Sequence, residues 1–424
     1  MLLAWRKGYC ARVLSKQRAA GISELEGLRD SRIVTLITSV RANVPAGLAD
    51  DQVRIFYDHL LRMRGDNGKI PKLDLYIVSN GGDGIVPWRI ISLFREFAEC
   101  IGVLVPYRAY SAATLTALGA DEIVMGPFGQ LGPIDPTVQN EFNPIDENGH
   151  RIGVSVEDVK SYIAFIKTTV GITHEDELIR AVEALLKEVH PLALGNVERF
   201  IAQSRMIAKK LLHTHMTEEK DRHIIEEIIE SLASKLYFHG HPISRAEARM
   251  DLKLTIAEDN RKMDDALWKL YLEYEKLFDM AQGFNPKGDL AKARIAFDKA
   301  HKAEIEKAAV ALIKQNMPPP VAYAQAVPHV RERFGPVVYE VDLLNAVIES
   351  TALSSLQKVR LRFEAVRDSQ TGHDRVRQDM LETRWETGEP AAPVRSVAAR
   401  VSARRSGKSN SSSQGVRAAK ARRN

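Results

Sequence analysis

The sequence predicts an α/β protein: an open parallel β-sheet with helices, followed by a mostly helical C-terminal region. Two observations indicate this architecture. Runs of β-branched and apolar residues alternate with segments of helical periodicity through the first 125 residues, which is typical of βαβ units. The run 101–105 contains no polar side chain, as expected for a parallel strand that is covered on both faces.

The predicted strands and helices alternate along the chain. Strands are expected at 32–40, 73–79, 101–105 and 122–125, and helices at 48–63, 87–100 and 112–119. Two turns follow directly after a strand: the glycine turn at 80–84 and the turn that ends in Ser111. Ligands of open α/β sheets bind beyond the carboxyl ends of the strands. Both turns therefore lie where a functional site is expected.

Helical patterns dominate the chain after residue 155, whereas the segments 341–353 and 356–367 fit a strand or a helix equally well. These patterns divide the chain into an N-terminal basic segment (1–29), an α/β domain (30–255), a mainly helical C-terminal region (256–387) and a basic tail (388–424). The Ser/Ala/Arg/Gly composition of the tail cannot build a core, and we expect it to be disordered.

The composition is that of a soluble globular protein in a reducing compartment. Of the 424 residues, 45% are hydrophobic, which is ordinary for such proteins. Cys10 and Cys100 are the two cysteines, too few for a disulfide framework. No apolar run approaches the roughly 18 residues that span a bilayer, and the N-terminal charges come too early for a secretory signal. These features predict a cytoplasmic protein without a transmembrane segment.

Positive charge is concentrated near the two ends of the chain. The formal net charge is +5, but residues 395–424 hold nine Lys or Arg and no acid, so the remainder is mildly acidic. Such a tail could hold nucleic acid or acidic partners, although solvated disorder is the simpler interpretation. The basic residues of the first 22 positions likewise favour a frayed terminus over attachment to an anionic membrane surface.

Ser111 is the candidate nucleophile. A serine at a sharp turn between a strand and a helix projects its hydroxyl at the sheet edge, where backbone N–H groups point toward incoming negative charge. The small residues after Ser111 allow the helix to pack close to the sheet. Taken alone, such a serine is more often a helix cap, and a Gly-Gly turn is more often plain turn geometry.

An oxyanion needs preorganised donors, and two backbone N–H groups are available. One belongs to Ala112, directly after the serine, and the other to Gly82 in the neighbouring glycine turn. Each such donor typically contributes about 3 kcal/mol to stabilisation of the transition state. The two turns together thus predict an oxyanion hole beside a serine nucleophile.

Several separated motifs, in order along the chain, resemble the serine dehydrogenase proteinase family, a ClpP-class group close to the signal peptide peptidase A peptidases. The resemblance covers roughly residues 30 to 255. The motifs are 76–83 (Tyr-Ile-Val-Ser-Asn-Gly-Gly-Asp), 103–114 (Val-Leu-Val-Pro-Tyr-Arg-Ala-Tyr-Ser-Ala-Ala-Thr), 118–127 (Leu-Gly-Ala-Asp-Glu-Ile-Val-Met-Gly-Pro), 131–136 (Leu-Gly-Pro-Ile-Asp-Pro), 190–196 (His-Pro-Leu-Ala-Leu-Gly-Asn) and 239–243 (His-Gly-His-Pro-Ile).

This resemblance implies a ClpP/crotonase-like fold, with Ser111 as nucleophile and Gly82 and Ala112 as oxyanion donors. It also implies hydrolysis of a protein or peptide substrate without ATP, metal or another cofactor, and assembly into a homo-oligomer, as is common for ClpP-class domains. The chain departs from the family pattern at Asn80, where a proline is usual, and at Ala113, where a glycine is usual. We expect the methyl group of Ala113 to narrow the site.

The general base is predicted to be a lysine. The Clp protease subunit carries a histidine some two dozen residues after its nucleophile, but this chain has no histidine between His59 and His150. Peptidases of the signal peptide peptidase A type use a lysine instead, which must be buried enough to lose its proton near neutral pH. Lys160 is the first candidate and Lys167 the second.

Three histidines in the matched motifs are alternative bases: His190, His239 and His241. Each has Gly or Pro neighbours that fit a capped turn equally well. No cluster of His, Asp or Glu has the spacing of metal ligands, and no metal site is predicted.

The sequence thus predicts a serine peptidase that acts through an acyl-enzyme, and two alternatives stay open. A crotonase-like acyl-CoA enzyme would use the same paired donors on a thioester but would not need Ser111. A non-catalytic scaffold with a degenerate hydrolase domain is the other. Labelling of Ser111 by a fluorophosphonate probe would favour the peptidase, acyl-CoA turnover by Ser111→Ala the second, and absence of labelling the third.

Overall fold

A seven-stranded β-sheet organises the part of the chain that the structure, a computed structural model, describes. The described residues are 15–64, 68–134, 137–138, 141–145, 152–235, 241–367 and 374–388. Contacts divide the chain into one unit that ends at Pro390 and a second from Ala391 to Asn424. The second unit contains most of the predicted basic tail and lies outside the described residues.

The helices and strands that the structure describes follow one another along the first unit. The helices are α1 (Lys16–Arg29), α2 (Asp51–Met63), α3 (Val86–Phe97), α4 (Ala112–Leu118), α5 (Val156–Ala164), α6 (Glu175–Glu188), α7 (Pro191–Leu212), α8 (Glu218–Glu230), α9 (Arg245–Met250), α10 (Arg261–Phe278), α11 (Pro286–Ala300), α12 (Lys302–Ile313) and α13 (Pro319–Phe334), with π-helical turns at Phe165–Thr169 and Ser231–Lys235. The strands are β1 (Arg32–Thr38), β2 (Ile70–Val78), β3 (Ala98–Val105), β4 (Arg108–Ala109), β5 (Glu122–Met125), β6 (Gln130–Leu131), β7 (Thr137–Val138), β8 (Val154–Ser155), β9 (Ile243–Ser244), β10 (Val338–Ser350), β11 (Ser354–Arg367) and β12 (Asp374–Gly388).

The large sheet has the strand order β12-β11-β10-β1-β2-β3-β5. Its β1, β2, β3 and β5 are parallel, whereas β10, β11 and β12 add antiparallel strands beside β1. A small sheet, β4-β6-β9, and a two-stranded pair, β7-β8, lie apart from it in the strand order. The small sheet positions the candidate site, because Ser111 follows β4 after one residue.

Helices cover both faces of the large sheet. Successive side chains of its central strands point to opposite faces, and those on both faces are buried. Val34 and Leu36 belong to a cluster with the apolar residues of α2, α3, α4, α7 and α8. Ile33 and Ile37 belong to a second cluster with α1 and α10. The predicted α/β class is confirmed, with a sheet that is mixed rather than wholly parallel.

The C-terminal region is helical from α10 to α13, as expected for most of 256–387. The two segments that fit a strand or a helix equally well are the strands β10 and β11, and with β12 they complete the large sheet. In both strands, buried and partly buried residues alternate over only part of the length. Whether such a segment forms a strand therefore depends on the neighbouring strands with which it pairs.

Two buried ion-pair clusters fasten α1 to the sheet. Arg18 donates to both carboxylate oxygens of Glu349 on β10, at 2.9 and 3.0 Å. Arg29 pairs with Asp74 on β2 at 2.9 Å and with Glu122 on β5 at 2.7 Å. From Lys16 onward the chain is therefore an anchored helix, whereas the charge pattern had suggested a frayed terminus through residue 22.

Candidate active site

Ser111 lies at the strand-to-helix turn in an unusual backbone conformation. Its φ of 51° and ψ of −115° lie outside the common regions for a residue with a side chain, and such conformations typically cost about 1–3 kcal/mol. It occupies the N-cap position of α4, yet its side chain makes no capping hydrogen bond. The half-buried hydroxyl is therefore not engaged in the structural role that serines at helix starts usually have.

The glycine turn after β2 touches Ser111. Gly81 has a φ of 105°, and a methyl group placed on it would lie 2.8 Å from Cβ of Ser111 and 2.9 Å from the carbonyl oxygen of Tyr110. Gly82 has a φ of 147°, and a methyl group there would meet the backbone N and O of Leu48 at 2.3 Å. Only glycine allows this approach of two backbone segments.

The buried hydroxyl of Ser79 stabilises the glycine turn. Ser79 accepts hydrogen bonds from the Thr38 hydroxyl at 2.8 Å and from the Gly81 N–H at 3.1 Å, and its own hydroxyl is 3.2 Å from the Gly81 carbonyl oxygen. Both Thr38 and Ser79 are fully buried. The network ties the ends of β1 and β2 to the turn and was not anticipated from the sequence, although a Ser two residues before a Gly is a common turn pattern.

Main-chain hydrogen bonds join the two turns. The Ser79 N–H donates to the Arg108 carbonyl and the Tyr110 N–H donates to the Ser79 carbonyl, each at 3.0 Å. The strand β4 is therefore fixed beside the end of β2. On the other side of the glycine turn, the Leu48 N–H donates to the Gly81 carbonyl at 2.7 Å.

The two predicted oxyanion donors are differently constrained. The Asp83 N–H donates to the Leu48 carbonyl at 2.9 Å, so in this extended segment the Gly82 N–H points away from Leu48. The Ala112 N–H is in the first turn of α4 and has no acceptor within the helix. The methyl group of Ala113 is fully buried in the core cluster beneath the sheet, so it does not occupy the exposed side of the turn.

The structure distributes the candidate bases over separate elements. Lys160 lies on α5, and its side chain is outside the described residues, as is His239. Lys167 is exposed in the π-helical turn after α5, without the burial that a neutral lysine base requires. His190 is exposed at the N-cap of α7, where its Nδ1 accepts from the Leu192 N–H at 3.2 Å.

His241 is oriented by a carboxylate. Its Nε2 is 2.8 Å from Oε1 of Glu247, and its side chain is 40% exposed. Glu247 also completes a capping box with Ser244 at the start of α9. Because its carboxylate is held in this way, the imidazole has a fixed direction, as an orienting acid provides in histidine-based sites.

The small sheet links the segment before Ser111 to the segment after His241. Ile243 on β9 lies opposite Leu131 on β6, and Leu131 lies opposite Ala109 on β4. His241 precedes Ile243 by two residues, and Ser111 follows Ala109 by two residues, at the turn where α4 begins. The sequence did not reveal this relationship, because β6 and β9 are two-residue strands far apart along the chain.

An arginine that the sequence did not single out lies next to the site. The guanidinium of Arg108 lies 4.3 Å from the ring centroid of Tyr107 and 5.5 Å from that of Tyr110, and it donates to the Tyr107 hydroxyl. Its Nε is buried without a hydrogen-bond partner. The signal that could have revealed it is the order Tyr-Arg-Ala-Tyr directly before Ser111.

Fold and site together define a class of protein. A parallel α/β sheet that presents a strained serine beside a glycine turn is the arrangement of a serine hydrolase with backbone oxyanion donors.

Within the described residues, no group of three or more His, Cys, Asp or Glu side chains is arranged to hold a metal ion. In the same residues, no helix has the combination of length and hydrophobicity needed to cross a bilayer.

A protein-family model matches the N-terminal third of the chain. Residues 1–146 match the family model described as ClpP-like SDH-type serine proteinase. This confirms, over that part of the chain, the resemblance found in the motifs, and it confirms serine peptidase as the enzyme class.

Individual relatives are more distant. One uncharacterised protein of Methanocaldococcus jannaschii is 26% identical over 235 residues, which cover 53% of this chain and 75% of the relative. A second from the same organism is 24% identical over 248 residues, covering 57% and 76%. Two structures of the 1510-N membrane-bound stomatin-specific protease, both of variants and one with a substrate peptide, are similar at 13% identity with TM-scores of 0.32 and 0.31. They cover 55% and 58% of this chain and 78% and 84% of their own.

Proposed function

We propose that this protein is a peptidase in which Ser111 attacks the scissile carbonyl and the N–H groups of Gly82 and Ala112 stabilise the resulting oxyanion. The contact between Gly81 and Ser111 carries the proposal. It places the backbone of the glycine turn next to Cβ of Ser111, which supports an oxyanion hole beside the nucleophile. The strained backbone of Ser111 and its uncapped hydroxyl support the same role.

The general base in this proposal is Lys160 or a histidine. Lys160 follows from the resemblance to lysine-dependent peptidases. Among the histidines, His241 has the strongest structural support, because Glu247 orients it and because it lies two residues before β9, which belongs to the same small sheet as β4. A base typically contributes about 10²–10⁴-fold to the rate, so Lys160→Met and His241→Gln should differ sharply in their effect on the reaction of Ser111.

Hydrolysis in this proposal needs no ATP, and the substrate is a protein or peptide. We further propose a cytoplasmic location and a homo-oligomeric state. The location is supported by the low cysteine content, two residues in the chain, and the oligomer by the frequent assembly of ClpP-class domains into rings or dimers. Peptide turnover in ATP-free buffer and size-exclusion chromatography with light scattering test the enzymatic and oligomeric parts.

Reaction with a fluorophosphonate probe, followed by mass spectrometry to locate the adduct, tests the nucleophile. The wild-type protein should be labelled at Ser111 and Ser111→Ala should not. Ser92→Ala is the matched control, since the Ser92 hydroxyl is buried without a hydrogen-bond partner in the described structure, and it should be labelled like the wild type. An unlabelled but folded wild-type protein would overturn the proposal in favour of a scaffold.

The base is tested with the same probe across a pH series. Loss of labelling in Lys160→Met with near-normal labelling in His241→Gln would assign the lysine, and the reverse result would assign His241. If neither substitution lowers the rate tenfold, neither residue is the base.

A further inference from the structure

Resting on the proposed peptidase function, we propose that Arg108 is a specificity-determining residue that binds a carboxylate of the peptide substrate within about three residues of the scissile bond. The carboxylate is an acidic side chain or the C-terminal carboxyl group of the substrate. These two sources share one chemistry, and the experiment below distinguishes them.

The first observation is that Arg108 forms no ion pair within the part of the chain that the structure describes. Among the described residues, no carboxylate pairs with Arg108, and its Nε is buried without an acceptor. Two other partly buried arginines are paired: Arg29 with Asp74 and Arg95 with Asp121. Arg108 is partly buried, and a guanidinium that has lost part of its hydration is stabilised by an anion beyond what stacking against tyrosine rings provides.

The second observation is that the guanidinium is held in place before any ligand binds. The Tyr107 and Tyr110 rings flank it, and Tyr107 accepts one of its N–H groups. Tyr110 is in turn fixed by its hydroxyl, which donates to Oε1 of Gln130. Arg108 and Gln130 are directly opposite in the pairing of β4 with β6. A planar, preorganised fork of this kind matches a carboxylate in a bidentate geometry.

The third observation is the side of the small sheet on which Arg108 lies. Ala109, Leu131 and Ile243 are opposite one another and fully buried. Because side chains alternate along a strand, Arg108 and Gln130 extend from the other face, the one not buried in the core. Both are only partly buried, and solute can reach this face.

Distance sets the position that would be recognised. Arg108 precedes Ser111 by three residues at the end of an extended segment, which corresponds to at most roughly 10 Å along the backbone. A bound peptide in an extended conformation covers the same length with about three residues. The carboxylate that Arg108 binds therefore lies no more than about three residues from the bond that Ser111 attacks.

The test uses the full-length protein and matched peptide pairs. One series carries Glu or Gln at each of the three positions on either side of the cleaved bond, and the other has a free or an amidated C-terminus. The variants are Arg108→Gln and Arg108→Lys, with Arg222→Gln as control because it removes a charge from an exposed site on α8, where Arg222 is 69% exposed. Each protein is also treated with the fluorophosphonate probe.

The wild type and Arg222→Gln should prefer the carboxylate peptide by about ten- to hundredfold in kcat/KM, the range expected of hydrogen bonds to a charged group. Arg108→Gln, if still labelled at Ser111 and hence folded, should lose this ratio. Arg108→Lys should keep a reduced ratio, since it retains the charge but not the fork. A preference in the Glu series indicates a side chain, and one in the free-acid series a C-terminus.

The failures are distinguishable. A wild-type protein that is labelled and cleaves peptides without preferring either carboxylate overturns the inference and leaves the peptidase proposal intact. A preference that survives in a labelled Arg108→Gln does the same. A wild-type protein that is not labelled overturns the peptidase proposal and this inference with it.

Discussion

Gly81 and Ser111 are in direct contact: a methyl group on Gly81 would lie 2.8 Å from Cβ of Ser111. The position of the serine side chain thus depends on a residue 30 positions earlier in the chain, in the turn after β2. Any change that moves the glycine turn also moves the candidate oxyanion donor relative to the candidate nucleophile. Four predictions follow from this coupling and from the buried groups around it.

Gly81→Ala should abolish most of the reactivity of Ser111. The added methyl group meets Ser111 and the Tyr110 carbonyl, and a φ of 105° is strained for alanine. We expect the rate of fluorophosphonate labelling to fall about hundredfold or more, as for loss of an oxyanion donor. Gly84→Ala is the control, because a methyl group there meets nothing within 4 Å. Equal labelling rates in the two variants would contradict the coupling.

Ser79→Ala should loosen the glycine turn. The substitution leaves the Thr38 hydroxyl and the Gly81 N–H without their buried partner, and each unsatisfied group costs about 1–3 kcal/mol. We expect a free energy of unfolding lower by about 2 kcal/mol in urea titrations, together with slower labelling of Ser111. Ser92→Ala removes a buried hydroxyl that has no partner and should change neither quantity. A neutral Ser79→Ala would exclude a supporting role for this hydroxyl.

Stability should depend on pH through His59. Burial lowers the pKa of His59 from 6.5 to about 4, and its ring nitrogens contact Ser350 and Ser355 at 3.0 and 3.2 Å. Between these two pH values the unfolded chain binds a proton that the folded protein does not. Stability is therefore full above pH 6.5, falls as the pH drops toward 4, and changes no further from this group below pH 4.

Urea titrations at pH 7 and pH 5 measure this effect. His59 should account for a loss of about 2 kcal/mol at pH 5. His59→Gln should be less stable at pH 7 but should lack this part of the pH dependence. His223→Gln alters an exposed histidine and should retain it. A slope that is unchanged in His59→Gln would refute the assignment.

Glu349→Gln should be among the most destabilising single changes in the sheet. It removes the buried negative charge that pairs with Arg18. The Glu349 carboxylate also accepts hydrogen bonds from the hydroxyls of Tyr274 and Ser354, each at 2.8 Å. Breaking a buried pair typically costs about 3–5 kcal/mol. Thermal and urea unfolding measure the loss of stability. Glu226→Gln is the control, because the ion pair of Glu226 with Arg222 is exposed and is expected to contribute less than about 1 kcal/mol to stability. Similar losses in both variants would contradict the role of burial.

Local signals accounted for the elements around the site. The strand at 122–125 and the start of the helix at Ala112 were predicted at the observed residues. Both predictions use only residues that are close in sequence: a β-branched run for the strand, and small residues after a turn for the helix. The motifs also predicted the family that residues 1–146 match.

Pairing between distant segments was not predictable in this way. The strands β10, β11 and β12 join the sheet beside β1 because main-chain hydrogen bonds and buried side chains of β1 select them, and no short-range pattern in 338–388 encodes that choice. The same holds for β6 and β9, whose two-residue pairings join the segment after His241 to the strand before Ser111. The base stays a prediction for this reason.

The sequence by itself determined which residues have the chemistry: a serine at a strand end, two glycines that allow a close backbone approach, and the family motifs that contain them. The tertiary structure alone decided what those residues touch. It brought Gly81 against Ser111, held the turn through Ser79, and placed Arg108 between two tyrosines, with no carboxylate partner among the described residues. The physical reason is that residue type and local backbone preference are properties of neighbouring positions, whereas contact, burial and charge pairing depend on segments that meet only after folding.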